Sequence, residues 1–316
     1  MDNSLLHRTK TSIGHFLRLF LSFLPLFFFR DQYFENGVSF TILTKNDPWF
    51  LESIVSIYTL ADEIVIIDSS DNLEYVRYNK MIVDKLKSKV AIKYIFEDLR
   101  ITQARKRAKS ESTRETIVHW DADMVALDKG PGNLENIINY VKPLKSKRVV
   151  YFPLLTPFNN FNTVTADHID FEGWIFSNTV KEIYRPKPVT PGSEKFVEGF
   201  SPPKYFRRIV LNYHGGVHLK YLVPSEKAIY KQFDGYLIND KLVEKYGDYN
   251  SLRENLTNFS LDEEPNWETY NESTHGPYPK ILERFVGLSK SEILKIKQAE
   301  IKNMTIPGVI EKMMTS

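Results

Sequence analysis

The chain has 316 residues, 42% of them hydrophobic and 13% aromatic, which allows one large α/β domain with extensions or two smaller domains. Its formal net charge of +2 gives no sign of a nucleic-acid-binding surface, so we expect no nucleic acid among its partners. Because the sequence contains no cysteine, disulfides, thiolate catalysis and cysteine-ligated zinc are excluded.

The N-terminal segment, residues 1–36, is unlike the rest of the chain. An apolar run of about 14 residues, 16–29, follows Arg8 and Lys10 and precedes Arg30. A membrane-spanning helix needs about 20 apolar residues, and no small-residue signal-cleavage site follows the run. We therefore expect residues 1–36 to form a membrane-associating segment that lies in the plane of the bilayer. A short spanning anchor and a helix that packs on the core or on a partner are the alternatives.

From Val38 onward, predicted strands and helices alternate, which is typical of a doubly wound α/β sheet. The predicted strands cover residues 38–43, 63–67, 90–96, 116–125 and 148–154. Asp47 is expected to be the N-cap of the first helix, with Pro48 as its first residue. The later helices are predicted at residues 73–86, 101–111 and 133–141.

The second half of the chain is less regular. Residues 156–204 are poor in periodicity and rich in Pro, Asn and aromatic residues, which predicts a lid or binding loop. Beyond it, the sequence predicts a strand at 206–211, a glycine-rich turn at 214–218, and helices at 241–246, 279–286 and 290–302.

Polar residues stand at the ends of three predicted strands. Thr44 and Lys45 follow the first strand, Asp68 follows the second, and Asp121 and Asp123 stand near the end of the fourth. Ligands of doubly wound sheets bind outside the carboxyl ends of the strands, so we expect these side chains to line one crevice.

The Asp121-Ala122-Asp123 motif predicts a metal site. Residues two apart in a strand point to the same side, so both carboxylates are expected to face one ligand. Two carboxylates aimed together need a compensating cation, and oxygen ligands suit Mg²⁺ or Mn²⁺. Mg²⁺ takes one or two protein carboxylates plus substrate phosphates, so a phosphate-bearing ligand is expected. A solvated acidic turn is the alternative.

The order of these motifs resembles the family 2 type glycosyltransferases of the GT-A fold. The matching segments are Thr44-Lys45-Asn46, Asp68-Ser69-Ser70-Asp71, Gln103-Ala104-Arg105-Lys106, Asp121-Ala122-Asp123, Tyr205-Phe206-Arg207-Arg208 and Gly216-Val217-His218. The resemblance covers residues 38–125 well and 200–220 loosely. It implies an inverting, metal-dependent transfer of a sugar from a UDP- or GDP-linked donor to a glycan or lipid-linked acceptor.

The resemblance also implies roles for individual residues. Thr44, Lys45, Asp68 and Asp71 would bind the nucleoside part of the donor, and Arg105 would stabilise negative charge on the leaving diphosphate. Other candidates for this basic role, each with a surface charge as the alternative, are Lys106, Arg207 and Arg208. Lys106 departs from the family, which often has Asn there.

The resemblance assigns the remaining roles to Asp121, Asp123 and His218. Asp121 would lie over the ribose and the donor sugar, and with Asp123 and His218 it would hold Mn²⁺ or Mg²⁺. His119 is expected to be a packed, hydrogen-bonded core residue, and His214 a loop residue.

An inverting transfer also needs a carboxylate that takes the proton of the acceptor hydroxyl. The usual acidic base of the family is not recognisable here. The irregular segment offers Asp170, Glu172, Glu194 and Glu198, and we choose Glu172 because neighbouring Trp174 could stack on a sugar. An ordinary loop acid is the alternative.

We accordingly predict an N-terminal membrane-associating segment (1–36), a GT-A catalytic domain (37–230, with halves 37–128 and 129–230) and a helical extension (231–316). The short tether before the first strand favours a peripheral or monotopic enzyme on the cytoplasmic face of a membrane. The alternatives are a non-catalytic binding protein for sugar nucleotides or glycans, and a nucleotidyltransferase. The latter would need a glycine-rich phosphate loop, which residues 44–48 lack.

Overall fold

The computed structural model describes residues 34–130, 132–141, 148–165, 170–179, 184–188, 196–200, 207–224 and 267–315. The apolar run at 16–29 and the predicted helix at 241–246 lie outside the described residues. Within these ranges, no helix has both the length and the hydrophobicity needed to cross a bilayer.

The described elements are thirteen strands and seven α-helices, with one 3-10 helix at Lys280–Phe285. The strands are β1 Glu35–Thr44, β2 Glu63–Asp68, β3 Ala91–Phe96, β4 Arg114–Asp121, β5 Met124–Ala126, β6 Arg148–Leu155, β7 Thr163–Thr165, β8 Asp170–Ser177, β9 Tyr184–Pro188, β10 Phe196–Phe200, β11 Arg207–Val210, β12 Gly216–His218 and β13 Trp267–Thr269. The helices are α1 Phe50–Ile57, α2 Leu73–Leu86, α3 Ile101–Glu111, α4 Leu134–Val141, α5 Glu272–His275, α6 Lys290–Lys302 and α7 Gly308–Thr315.

Nine of these strands form the main sheet of the described residues, in the order β3-β2-β1-β4-β8-β6-β12-β5, with β11 beside β6. Pairing is parallel among β3, β2, β1 and β4, and between β6 and both β11 and β12. The antiparallel pairs are β4–β8, β6–β8 and β5–β12. The predicted α/β class with a mostly parallel, doubly wound sheet is therefore confirmed.

Helices cover both faces of this sheet. Ile64 and Ile66 of β2 belong to the large core that includes residues of α1 and α2. Val65 and Ile67, which point to the other face, pack in a second cluster with Ala104 of α3. Burial on both faces explains why β2 is a continuous apolar run rather than an alternating one.

The first helix begins later than the sequence predicted. Asp47 was expected to be its N-cap, but α1 starts at Phe50. Asp47 Oδ1 instead accepts a hydrogen bond from Trp49 N at 3.0 Å, which closes a short turn before the helix. The Trp49 indole is buried and donates to Leu222 O at 2.8 Å, so tertiary packing fixes the helix start.

The predicted irregular segment, residues 156–204, is the larger error. It contains β7, β8, β9 and β10. Strand β8 pairs with β4 and β6, and β7 pairs with β13, so partners distant in sequence stabilise these strands. Local periodicity carries no signal for such pairing. Likewise, Gly216–His218 is strand β12 rather than part of a turn.

The C-terminal helices pack onto α1 and α2. Tyr58 Oη donates to Met313 O at 2.7 Å, and Tyr78 Oη donates to Thr305 O at 3.1 Å. Ile293 of α6 and Ile310 of α7 belong to the same core as the sheet. This part of the predicted extension is therefore integral to the core of the described residues.

A buried ion cluster joins α1 to the C-terminal helices. Lys297 Nζ lies 2.7 Å from Glu52 Oε1 and 2.8 Å from Glu300 Oε2, and Lys297 and Glu52 have fully buried side chains. Arg284 donates to both carboxylates as well. Burial raises the pKa of Glu300, but Lys297 and Arg284 outweigh that effect and hold its pKa below the usual value. Two cations thus balance two buried carboxylates.

We expect Lys297→Met to lower the free energy of unfolding by about 3–5 kcal/mol, because it leaves two carboxylates with one cation in the core. Urea unfolding at pH 7 measures the change. Lys295→Met, on the exposed face of the same helix, is the matched control and should change stability by less than about 0.5 kcal/mol. Equal effects of the two substitutions would contradict the structural role of the cluster.

Candidate functional site

The carboxyl ends of β1 and β4 lie side by side, with Leu43 opposite Asp121. Between these strands the sheet order reverses, because β2 and β3 lie on one side of β1 and β4 on the other. Ligands of doubly wound sheets bind in the crevice at such a reversal. Thr44 ends β1 and Lys45 follows it, so their backbone lies at the same end of the sheet as Asp121.

The loop after β1 is bonded to the loop after β2. Asn46 adopts a left-handed backbone (φ +49°), and its N–H donates to Ser70 Oγ at 2.9 Å. Its side chain donates to Asp71 and accepts from Asn72 N at 3.1 Å. Asn72 also caps α2 by accepting from Glu74 N. The two loops thus form one rigid wall, in which the exposed Asp71 has a fixed position.

Asp68 is fully buried behind this wall. Its Oδ1 accepts from Ser70 N at 2.9 Å, and its Oδ2 accepts from Asn79 Nδ2 at 3.0 Å and from the Tyr94 hydroxyl. Burial, and next the Asp68 carboxylate, raise the pKa of Tyr94, so the phenol stays protonated and donates. Asp68 therefore holds the β2–α2 turn, and its direct contact with a nucleotide stays a prediction.

Thr44 and Lys45 differ in their surroundings. Lys45 is partly exposed, and its Nζ lies 3.7 Å from Asp98 Oδ1. Thr44 is buried, and no group among the described residues hydrogen bonds to its hydroxyl. A buried hydroxyl of this kind costs stability, since it has lost water without gaining a partner.

The acidic motif does not form one continuous strand. The expectation that Asp121 and Asp123 share one side of a strand is wrong, because β4 ends at Asp121 and Asp123 lies in the turn before β5. Strand β5 leaves β4 to pair antiparallel with β12. The two carboxylates consequently have different partners.

Asp121 forms a bidentate ion pair with Arg105 of α3. The two N–O distances are 2.9 and 3.0 Å, and the side chains are 14% and 6% exposed. Burial raises the pKa of Asp121, but the charge and hydrogen bonds of the Arg105 guanidinium outweigh that effect and hold its pKa below the usual value. Neighbouring Lys106, by contrast, is exposed. The Arg105 guanidinium therefore acts at this site by neutralising and orienting the Asp121 carboxylate.

Asp123 faces His218 of β12. Asp123 Oδ1 and His218 Nε2 are 3.5 Å apart, and both side chains are almost completely buried. Strand β12 lies very close to β5 and to Trp120. A Cβ on Gly216 would be only 2.9 Å from Val125 O and 3.1 Å from the Trp120 ring. Glycine at this position is what allows β12, and with it His218, to reach the acidic turn.

The three predicted metal ligands, Asp121, Asp123 and His218, do not form one cluster. Among the described ranges, no group of three or more His, Asp or Glu side chains is placed to hold a metal ion. A carboxylate oxygen and an imidazole nitrogen 3.5 Å apart still fit a cation that takes its other ligands from water and phosphate. The donor chemistry thus fits Mn²⁺ or Mg²⁺ at Asp123 and His218.

His119 lies below the crevice rather than in it. It is buried, as predicted, and its ring centroid is 4.4 Å from that of Trp174. Burial lowers the pKa of His119 well below its usual value, with Arg105 and His218 adding to the effect and Asp121 opposing it. The ring is therefore neutral. No local pattern indicates Trp174 as the partner of His119, because only the antiparallel pairing of β8 with β4 places them together.

The sheet register also places the other candidates. Trp174 lies opposite His119, so the backbone of Glu172, two residues earlier in β8, reaches the end of β4. Arg207 pairs with the first residue of β6, at the opposite edge of the sheet from Asp121. Arg207 and Arg208 are therefore not brought to the crevice. Glu194 lies outside the described residues.

Comparison with known proteins gives only a general likeness. No protein-family model and no curated protein matches the sequence. Among solved structures, the Staphylococcus aureus TarS chain aligns with 13% identity and a TM-score of 0.40, covering 87% of this chain and 50% of its own. TarS residues 1–349 give 12% identity, a TM-score of 0.38 and coverage of 87% and 82%. The present chain spans half the length of the longer TarS chain.

A 4-diphosphocytidyl-2C-methyl-D-erythritol synthase from Anaerococcus prevotii also aligns, with 13% identity and a TM-score of 0.30. That match covers 45% of this chain and 70% of the synthase. At such identities and TM-scores, the likeness concerns the general arrangement of strands and helices.

We expect Thr44→Val to leave the melting temperature unchanged or to raise it, because it removes a buried hydroxyl without a hydrogen bond. Thr41→Val is the matched control on the same strand, since the buried Thr41 hydroxyl donates to Val118 O at 3.4 Å. The control should cost about 0.5–1 kcal/mol. Calorimetry of both variants measures the difference, and a larger loss for Thr44→Val would show that its hydroxyl has a structural partner.

We expect Arg105→Gln to destabilise the protein by about 3 kcal/mol at pH 7, because the nearly buried Asp121 carboxylate loses its counter-charge. Arg107→Gln, at a half-exposed position on the same helix, should cost less than about 1 kcal/mol. Chemical unfolding of both variants measures the effects. Similar losses would mean that the Arg105–Asp121 pair adds no more than a surface ion pair.

Proposed function

We propose that the protein is a glycosyltransferase that moves a sugar from a nucleoside diphosphate donor to an acceptor hydroxyl, as the family 2 type enzymes do. The observation that supports this most is the acidic turn at the β1/β4 crevice. It combines Asp121, neutralised by Arg105, with Asp123 beside His218. The wall formed by the loops after β1 and β2 lies at the same end of the sheet. The wall would bind the nucleoside of the donor, and the acidic turn would bind its diphosphate.

On the nucleoside side, we propose a UDP- or GDP-linked donor. Lys45 and Asp71 are accessible charged side chains of the wall and would contact the ribose and base. Thr44 and Asp68 are buried, so their part is to shape the wall and its turn. The fixed geometry of Asn46 between the two loops would reduce the ordering cost of binding.

On the diphosphate side, Asp123 and His218 would hold Mn²⁺ or Mg²⁺. Such an ion stabilises the charge that builds on the leaving diphosphate. Arg105 holds the Asp121 carboxylate in one orientation, so that Asp121 can accept hydrogen bonds from the donor ribose or sugar without rotating away. The Arg105 guanidinium also offsets the negative charge of the Asp121 carboxylate, which would otherwise repel the diphosphate.

For the acceptor, we propose that Glu172 is the base that takes the hydroxyl proton, which would give inversion. The register of β8 supports this, because it brings the backbone of this residue to the end of β4. The acceptor class is a glycan or a lipid-linked sugar. With the apolar N-terminal run of the sequence, we further propose a peripheral or monotopic enzyme on the cytoplasmic face of a membrane.

A donor panel tests the proposal. The purified full chain should release nucleoside diphosphate from a UDP- or GDP-sugar in the presence of Mn²⁺ and an acceptor extract, and chelation should abolish the release. We expect Asp123→Ala and His218→Ala to lower kcat/KM about 100-fold or more, with little change in folding. Asp84→Asn, on exposed helix surface, is the control and should retain wild-type turnover.

Two outcomes would contradict the proposal. Binding of a sugar nucleotide without turnover of any donor would favour a non-catalytic binding protein. Turnover of a sugar phosphate with a nucleoside triphosphate would favour a nucleotidyltransferase instead.

A further inference from the structure

Ser53 lies on α1, outside the crevice, yet it contacts the acidic turn. Its side chain is buried, and its hydroxyl donates to the backbone carbonyl of Asp121 at 3.0 Å. The same hydroxyl accepts from Trp120 Nε1 at 3.1 Å. That indole N–H also lies 3.0 Å from Met124 O, on the far side of the turn. The serine hydroxyl therefore joins the helix to the Asp121 end of the turn, and the Trp120 indole connects that hydroxyl to Met124 at the other end.

Three successive residues of the turn are held by three different elements. The N–H of Ala122 donates to a carbonyl of β1 at 3.0 Å, and the carbonyl of Asp123 accepts from Leu219 N at 2.8 Å. These two bonds are made by backbone groups. The bond to the carbonyl of Asp121 is made by the side chain of Ser53. Of these three contacts, only this last one can be removed by a substitution.

The helix that carries Ser53 is itself firmly held. One turn later, Ser56 Oγ donates to the Ser53 carbonyl at 2.7 Å and accepts from Ala126 N at 3.0 Å, which ties the end of β5 to this helix. The preceding residue, Glu52, is held by Lys297 through two bonds of 2.7 and 2.9 Å. Because the helix is held in this way, the Ser53 hydroxyl can hold the Asp121 carbonyl in one orientation.

We infer that Ser53 is a positioning residue: its hydroxyl orients the Asp121 peptide, and thereby the carboxylates of Asp121 and Asp123. Both carboxylates branch from the peptides of this turn, so a rotation of the Asp121 carbonyl moves them relative to Arg105 and His218. The effect of Ser53 on turnover rests on the proposed function, whereas its effect on the geometry of the turn does not.

Hydrogen exchange tests the geometric part without requiring activity. Ser53→Ala should speed exchange of the amides at residues 122–126 about tenfold, the factor expected when one hydrogen bond of ordinary strength is lost. Ser39→Ala is the matched control. Ser39 is also buried, donates to Glu63 and accepts from Arg114 N at 3.3 Å, but it lies in the middle of β1, opposite the first residue of β2. The control should leave exchange at 122–126 at the wild-type rate.

Kinetics tests the functional part with the donor and Mn²⁺ that support wild-type turnover. We expect Ser53→Ala to lower kcat about tenfold while the KM for the donor changes less than about threefold, since the nucleoside wall is untouched. Ser39→Ala should keep the wild-type kcat even if it lowers the melting temperature as much.

The outcomes separate the two proposals. Wild-type exchange at 122–126 in Ser53→Ala, or equal acceleration in Ser39→Ala, would overturn the positioning role. Faster exchange with unchanged kcat would also overturn it, because the turn would then move without consequence. If the wild-type chain turns over no donor, the proposed function fails, and the exchange experiment alone decides whether Ser53 orients the turn.

Discussion

The parallel pairing of β1 with β2 on one side and β4 on the other is the constraint on which the site depends. The chain moves from β1 outward to β3, and then returns past β1 to β4. The loops after β1 and β4 therefore belong to connections that run to opposite sides of β1, which is where doubly wound sheets bind their ligands. The same pairing also decides which helix each residue meets. Alternate residues of β2 pack on α1 and α2 or on α3, and Asp121 lies on the α3 side, where Arg105 is available.

Buried charge is balanced differently in the core and at the crevice. In the core, Glu52 is completely enclosed by α1 and the C-terminal helices, and Lys297 and Arg284 hold it in place. At the crevice, Asp121 keeps 14% of its side chain exposed while it is paired with Arg105. An ion pair that remains near water costs less to rearrange than one that is fully enclosed, because water can solvate either charge as it separates. The first cluster is thus suited to holding elements together, and the second to meeting a ligand.

The sequence predicted those elements whose signals are local. The bounds of α2, α3 and α6 match the prediction, because periodicity and caps such as Asn72 and Ser289 mark them within the segment itself. The strands β7 and β8 were missed because their partners β13 and β4 come from distant parts of the chain, whereas β9 and β10, which were also missed, pair with each other. The end of β4 was missed for the same reason. Nothing within residues 116–125 shows that β5 pairs with β12, which approaches only because residue 216 is glycine.

For the site, the sequence located the edge but not the role of each residue there. Asp68 is predicted to contact a ligand, and in the folded chain its carboxylate also accepts hydrogen bonds from Asn79 of α2 and Tyr94 of β3. Apart from the proposed metal ligands Asp123 and His218, burial therefore divides the polar residues of the edge into two kinds. Partly exposed groups such as Lys45 can contact a ligand directly. Enclosed groups such as Asp68 and Ser53 act through the backbone that they hold, so their substitution should alter geometry before it alters affinity. A motif read from sequence gives both kinds the same weight, because burial depends on contacts that only the folded chain creates.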